Sequence, residues 1–198
     1  MPGNTTPRIA AMTASVREGR FGPTVTRWFV DHARESAGLD VDVIDLEDFP
    51  LPLKQPDFGK DPSPQSARLL NGLSPRLAAA DAFVVVTPEY NHSFPASLKN
   101  VIDWHNQEWH AKPVGFISYG GISGGLRAVE HLRLVFAELH AVTIRDTVSF
   151  HVAWEQFDPE GRPTSPEGCN AAAKTMLDQL LWWARALREA RTAHPYQV

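Results

Sequence analysis

The hydrophobic pattern of the chain alternates between a strand-like and a helix-like period. Residues 83–86, Phe-Val-Val-Val, are apolar on both faces and rich in β-branched side chains, as in a central strand covered on both sides. The run stops at Thr87-Pro88, where proline removes a donor and favours an extended residue before it. A polar loop from Glu89 to Ser93 follows, then a helix over 97–106 with Leu98, Val101, Ile102 and His105 on one stripe. The same switch recurs along the chain. Residues 8–13, 41–44, 82–86, 113–119 and 141–144 read as strands, and 148–154 as an extension of the fifth or an extra edge piece. Residues 23–37, 65–80, 97–106, 124–140 and 170–191 read as helices. Prolines at 50, 52, 56, 62 and 64 mark 45–64 as loop, and 158–168 is a second loop. Five strand–helix alternations predict an α/β fold, a doubly wound five-stranded parallel sheet with helices on both faces. At 198 residues and 43% hydrophobic content, one domain over 1–198 is expected.

In such sheets ligands bind beyond the carboxyl ends of the strands. The loops after strands one, three and four should therefore meet at one edge. The first contains Ser15, Arg17 and Arg20, with Phe21 and Gly22 leading into a helix; helix N-terminal amides with guanidinium groups beside them suit a phosphate. Neither the Walker pattern nor Gly-x-Gly-x-x-Gly is present, and a solvated basic loop would carry the same residues. The loop after strand four holds Ser118, Tyr119 and glycines 120, 121, 124 and 125, which let backbone approach a flat ligand. Gly121 to Gly125 also fits Gly-x-Ser-x-Gly, so Ser123 could be a hydrolase nucleophile with Asp146 or Asp158 and His151 or His194, although no HGGG-type loop lies upstream. Glu89 could act as a general base or as a capping group. Trp182-Trp183 should place one ring in the core and one at an interface.

Charge narrows the partners. A net charge of -4 without a basic stripe gives no footprint for nucleic acid. The eight histidines lack metal-ligand spacing. A single cysteine, Cys169, fits a reducing cytoplasm. The opening MPGNTTPRIAAM reads as no secretory leader, and no stretch has the length of a membrane span. A cytoplasmic, soluble protein is expected.

The segment VVVTPEYNHSFPASLKNVIDW, residues 84–104, resembles the signature of the NADPH-dependent FMN reductase family, and the likeness extends over roughly residues 8 to 187. The resemblance implies a flavodoxin-like fold, FMN and NADPH as cofactors, and hydride passed through FMN to a small acceptor such as a flavin, quinone, azo dye or metal ion. It assigns Ser15 and Arg17 to the FMN phosphate, with Arg20, Phe21 and Gly22 completing that loop. It sets Pro88, Glu89, Tyr90 and Asn91 along the flavin ring, and Ser118, Tyr119, Gly120 and Gly121 on its other side. Ala14, Arg20 and Gly22 depart from the usual glycine, serine and asparagine, and Arg20 either contacts the phosphate or points into solvent. No catalytic side chain is implied, because the flavin carries the chemistry. Relatives of this kind form homodimers or homotetramers, and the aromatic segment 104–109 is a candidate interface. Two other readings compete: a flavodoxin-like electron carrier, and the esterase using Ser123.

Overall fold

The computed structural model describes residues 6–57 and 59–197. Strands β1 (Ile9–Thr13), β2 (Val41–Asp45), β3 (Ala82–Pro88), β4 (Pro113–Gly120) and β5 (Val142–His151) form one sheet, ordered β2-β1-β3-β4-β5. Every neighbouring pair is parallel. Helices α1 (Gly22–Ala37), α2 (Pro64–Ala79), α3 (Ala96–Asp103), α4 (Leu126–Glu138) and α5 (Pro166–Ala193) cover it. Successive strand side chains point to opposite faces, and the core divides accordingly. Ile9, Ala11, Val84 and Val86 pack with α1 and α5, whereas Ala10, Met12, Phe83 and Val85 pack with α2, α3 and α4. The expected flavodoxin-like, doubly wound sheet is therefore present. Its strand order reverses between β1 and β3, the switch point where such sheets hold ligands.

Several boundaries differ from the sequence pattern, each for a local reason. β3 continues through Thr87 and Pro88, which pair with Ser118 and Tyr119. The Glu89 N–H donates to Tyr119 on β4 while Val86 accepts from Ala14, so the N–H that Pro88 lacks would face the β1 side, where that strand has already ended. The segments 141–144 and 148–154 belong to one strand, β5, down to His151. Its partners on β4 step from Thr143 at Val114 to Thr147 at Phe116, a bulge that carries Arg145 and Asp146 and breaks the apolar pattern. α4 starts after Gly124 and Gly125, both left-handed at φ 60° and 86°. α3 stops at Asp103, but His105 remains buried, its ring bonded to Val101 O at 2.8 Å and Ser74 Oγ at 3.0 Å.

Two aromatic assignments are corrected. Trp109 is completely buried between Phe83 and Phe136, with ring centroids 4.9 and 5.6 Å away, so it belongs to the core and not to an interface. Trp182 and Trp183 both lie outside the core, 61% and 36% exposed, and meet edge to face at 5.0 Å. The buried stripe of α5 runs through Ala173, Met176, Leu177, Leu180, Leu181 and Ala184 and includes neither indole.

Lys112, just before β4, donates from Nζ to Leu77 O and Ala78 O, both at 2.9 Å, the last-turn carbonyls of α2 that lack intrahelical partners. Burial, aided by Arg191, pushes its pKa down from 10.5 to about 8. Between those two values the unfolded chain binds the extra proton, so stability rises with pH across that window and is lost again as pH falls towards 8. The full rise is on the order of 3 kcal/mol. Burial pushes the Tyr119 phenol up, with the opposite sign: its contribution is complete below the usual phenol range and lost above it. Urea unfolding of the wild type and Lys112→Met at pH 7.5, 9 and 10 (conditions on the order of one unit apart) should give a rise in the wild type and a flatter profile in the variant.

Candidate active site

The β1–α1 loop, residues 14–21, leaves the sheet at the switch point. Its Ser15 is buried, and Ser15 Oγ accepts from the Tyr119 hydroxyl at 3.1 Å across from β4. Gly22 is packed so closely that a Cβ there would stand 2.5 Å from Ser15 Oγ and 2.9 Å from the Tyr119 hydroxyl. Arg20 does not point into solvent: its side chain is held in the loop by the carboxylates beside it. Its guanidinium bonds both carboxylate oxygens of Asp45 at 2.5 and 2.8 Å, Ser15 O at 2.7 Å, and pairs with Glu47 at 2.5 Å. The hydrogen bond to Asp45 outweighs partial burial and raises the Arg20 pKa further. Among the described residues, Arg17 makes no ion pair, and the amides of Ser15, Val16, Arg17, Glu18 and Gly19 find no acceptor within the chain. Phe21 stands at the N-cap of α1 and gives it no side-chain cap. A free cation, unengaged amides and an uncapped helix start together suit an anion.

The β3–α3 loop folds into a tight turn. Tyr90 and Ser93 exchange backbone hydrogen bonds at 2.8 and 3.1 Å, and Asn91 and His92 both take positive φ, 48° and 75°, as a two-residue turn of primed type requires. Ser97 Oγ donates to Ala14 O at 2.6 Å, tying this region to the first loop.

Glu89 joins the second loop to the third. Its side chain is only 6% exposed. It accepts from Ser123 Oγ at 2.6 Å and the Arg127 N–H at 3.2 Å, and pairs with the Arg127 guanidinium at 2.6 Å. Burial acts to raise its pKa, but the Ser123 and Arg127 hydrogen bonds and the Arg127 charge together hold the carboxyl below its usual range. A carboxylate so engaged is a brace and a poor proton acceptor. Ser123 meets this carboxylate and no histidine: the His151 ring bonds Ile122 O at 3.0 Å and approaches Ser149 Oγ at 3.3 Å. The nucleophile elbow thus lacks its base among the described residues. Ser118 Oγ and Ser149 Oγ both donate to Gly124 O, at 2.8 and 2.9 Å, and hold the glycine loop against β4 and β5.

The three loops enclose a cleft of 390 Å³, within the range of about 300–1,000 Å³ usual for small-molecule sites. Nine sequence-predicted residues line it: Arg17, Arg20, Phe21, Pro88, Glu89, Tyr90, Tyr119, Gly120 and Gly121. Ser15, Gly22 and Ser118 are buried behind its wall, and Asn91 lies at the exposed tip of its turn. Glu18, Gly19, Ala153 and Trp154 also line it. The last two belong to a 3-10 turn, Ala153–Glu155, that follows β5; an unassigned tryptophan closing 148–154 was the available signal. A larger hollow of 950 Å³ includes His110, Lys112, His140, Arg191 and Tyr196 near the amino ends of β4 and β5. Its cations Lys112 and Arg191 already bind the carbonyls of Leu77, Ala78 and Ala111, so the smaller cleft carries the more available chemistry. Its anion-suited end and flat glycine wall fit a phosphorylated planar cofactor. Among the described residues no cluster could hold a metal ion, and no helix is long and apolar enough to cross a membrane.

Comparison with known proteins agrees with this geometry. The chain is 38% identical over 124 residues to an NAD(P)H-dependent FMN reductase of Schizosaccharomyces pombe, covering 61% of each protein. It is 31% identical over 179 residues to a probable NADPH:quinone oxidoreductase of Oryza sativa subsp. japonica, covering 84% of this chain and 85% of that protein. FerB, a flavoenzyme NAD(P)H:(acceptor) oxidoreductase from Paracoccus denitrificans, shares the fold with a TM-score of 0.71 at 22% identity, over 91% of this chain and 98% of its own. The sequence model of NADPH-dependent FMN reductases matches residues 7–155, from the start of the sheet to the turn bearing Trp154, and the chain therefore belongs to that family of FMN- and NAD(P)H-dependent oxidoreductases.

Proposed function

We propose that the protein transfers hydride from NADPH, through FMN held in the 390 Å³ cleft, to a small acceptor of the quinone type. The observation that carries this reading is the first loop, where the amides from Ser15 to Gly19 and the Arg17 guanidinium are unengaged beside the start of α1. They would hold the phosphate, with Arg20 bracing the loop through Asp45 and Glu47. Pro88 and Tyr90 would line one side of the ring, Tyr119, Gly120 and Gly121 the other. Asn91 would keep the turn closed, and Ser15, Gly22 and Ser118 would act from behind the wall. Held there, FMN would supply two-electron redox chemistry between the nicotinamide and the acceptor. Two relatives named as NADPH:quinone oxidoreductases, from rice and Arabidopsis thaliana, favour a quinone acceptor. An electron carrier is disfavoured, because 23 acidic against 19 basic residues is not the strongly acidic balance suited to basic partners.

Titration with FMN and with riboflavin tests the site. Arg17→Ala should raise the Kd for FMN by roughly 10- to 100-fold, as expected for loss of a charge-assisted hydrogen bond, and leave riboflavin affinity nearly unchanged. Equal losses for both flavins would remove Arg17 from the phosphate. Steady NADPH oxidation by the purified protein with a naphthoquinone supports the enzyme, and its absence in FMN-loaded protein supports the carrier.

A further inference from the structure

The chain beyond β5 takes a sharp route. Val152 sits at φ 46°, ψ 53°, a left-handed conformation that β-branched residues adopt only when their surroundings over-determine it. The surroundings do so here. The Val152 N–H donates to Gly121 O at 3.0 Å, the Glu155 N–H closes on Val152 O at 2.9 Å, and the His151 ring meets Ile122 O at 3.0 Å. The turn so anchored sets Trp154 at the mouth of the cleft. Its Cη2 is 3.7 Å from the point a Cβ on Gly121 would occupy, and the residue is 63% exposed. Trp28, Trp104 and Trp109 each donate their indole N–H to a protein oxygen. The Trp154 indole makes no hydrogen bond and no ring pair among the described residues, so the turn fixes where it stands while its own ring is left without a partner. A large flat apolar ring left open at the rim of a ligand cleft gains by being covered with another flat ring.

The geometry points to Trp154 as the residue that stacks on the planar ring of the electron acceptor and thereby favours quinones over acceptors with no flat ring. The inference rests on the flavin-dependent reading above. Gly121 is part of the same device, since a side chain there would narrow the gap against the indole. The main chain carrying both residues is fixed by hydrogen bonds, so little backbone is left to order on binding.

The test uses FMN-loaded wild type, Trp154→Ala and Trp154→Phe. In the alanine variant KM for 1,4-naphthoquinone should rise roughly fivefold, the size of one aromatic stacking contact. The ratio of that KM to the KM for ferricyanide, an octahedral ion, should rise with it, and phenylalanine should restore most of the difference. Binding of naphthoquinone to the oxidised holoprotein, read from the flavin absorbance, should weaken by a similar factor while the Kd for FMN holds. Unchanged quinone KM and binding would overturn the assignment. So would an equal rise for ferricyanide, or a loss of FMN affinity, which would make the indole a wall of the cofactor site. If the wild type takes up no FMN, the underlying reading fails first, and a wild type that binds FMN with a quinone response indifferent to Trp154 isolates failure of this inference alone.

Discussion

Gly125→Ala is expected to lower the unfolding free energy by roughly 3 kcal/mol, from a left-handed backbone cost together with overpacking, and to abolish FMN uptake. Gly125 has φ 86°, and an added Cβ would stand 2.7 Å from Ser118 Cβ and 2.9 Å from the Tyr119 backbone nitrogen. Neither neighbour can give way. Both belong to β4, which is paired on both sides, to β3 and to β5. Relief would have to come from the glycine loop itself, breaking the Ser118 and Ser149 bonds to Gly124 and moving Gly120 and Gly121 into the cleft. Urea denaturation and FMN titration of the variant check both halves of this expectation. A loss below about 1 kcal/mol, the level typical of an ordinary single substitution, would mean that the loop has a second acceptable path.

Trp109→Ala should cost about 4 kcal/mol, the usual range for removing a buried large aromatic, and the loss should be the same at any protein concentration. The indole is enclosed by Phe83 and Phe136 and its N–H bonds His105 O at 3.2 Å, so the cavity opens inside one subunit. Thermal unfolding at two concentrations decides the point: a side chain at a subunit contact would make the penalty concentration-dependent.

Much of the architecture was legible because local pattern and global fold agree. The apolar run at 83–86 and the period-3.6 stripes of α1, α3 and α5 reappear as a central strand and as buried helix faces. The misread parts depend on contacts distant in sequence. Trp109, set among Asn106, Gln107, Glu108 and His110, reads as part of a candidate interface, and only its approach to Phe83 and Phe136 explains its burial. For Arg20 the sequence leaves phosphate contact and solvent both open, because its partners Asp45 and Glu47 come into reach only when β2 lies beside β1. The bulge in β5 hides one strand as two fragments, and with it the turn that delivers Trp154 to the site.

The ties among the three loops bear on how this cleft can be remodelled. Ser15 with Tyr119, Ala14 with Ser97, and Glu89 with Ser123 and Arg127 form cross-braces between segments far apart in the chain. A loop grafted alone from a relative would leave the Ser15–Tyr119 or the Glu89–Ser123 brace without its mate, stranding a buried hydroxyl or carboxylate. Swaps that carry the paired residues together should keep the pocket's shape, so the natural unit of exchange here is the brace and not the loop.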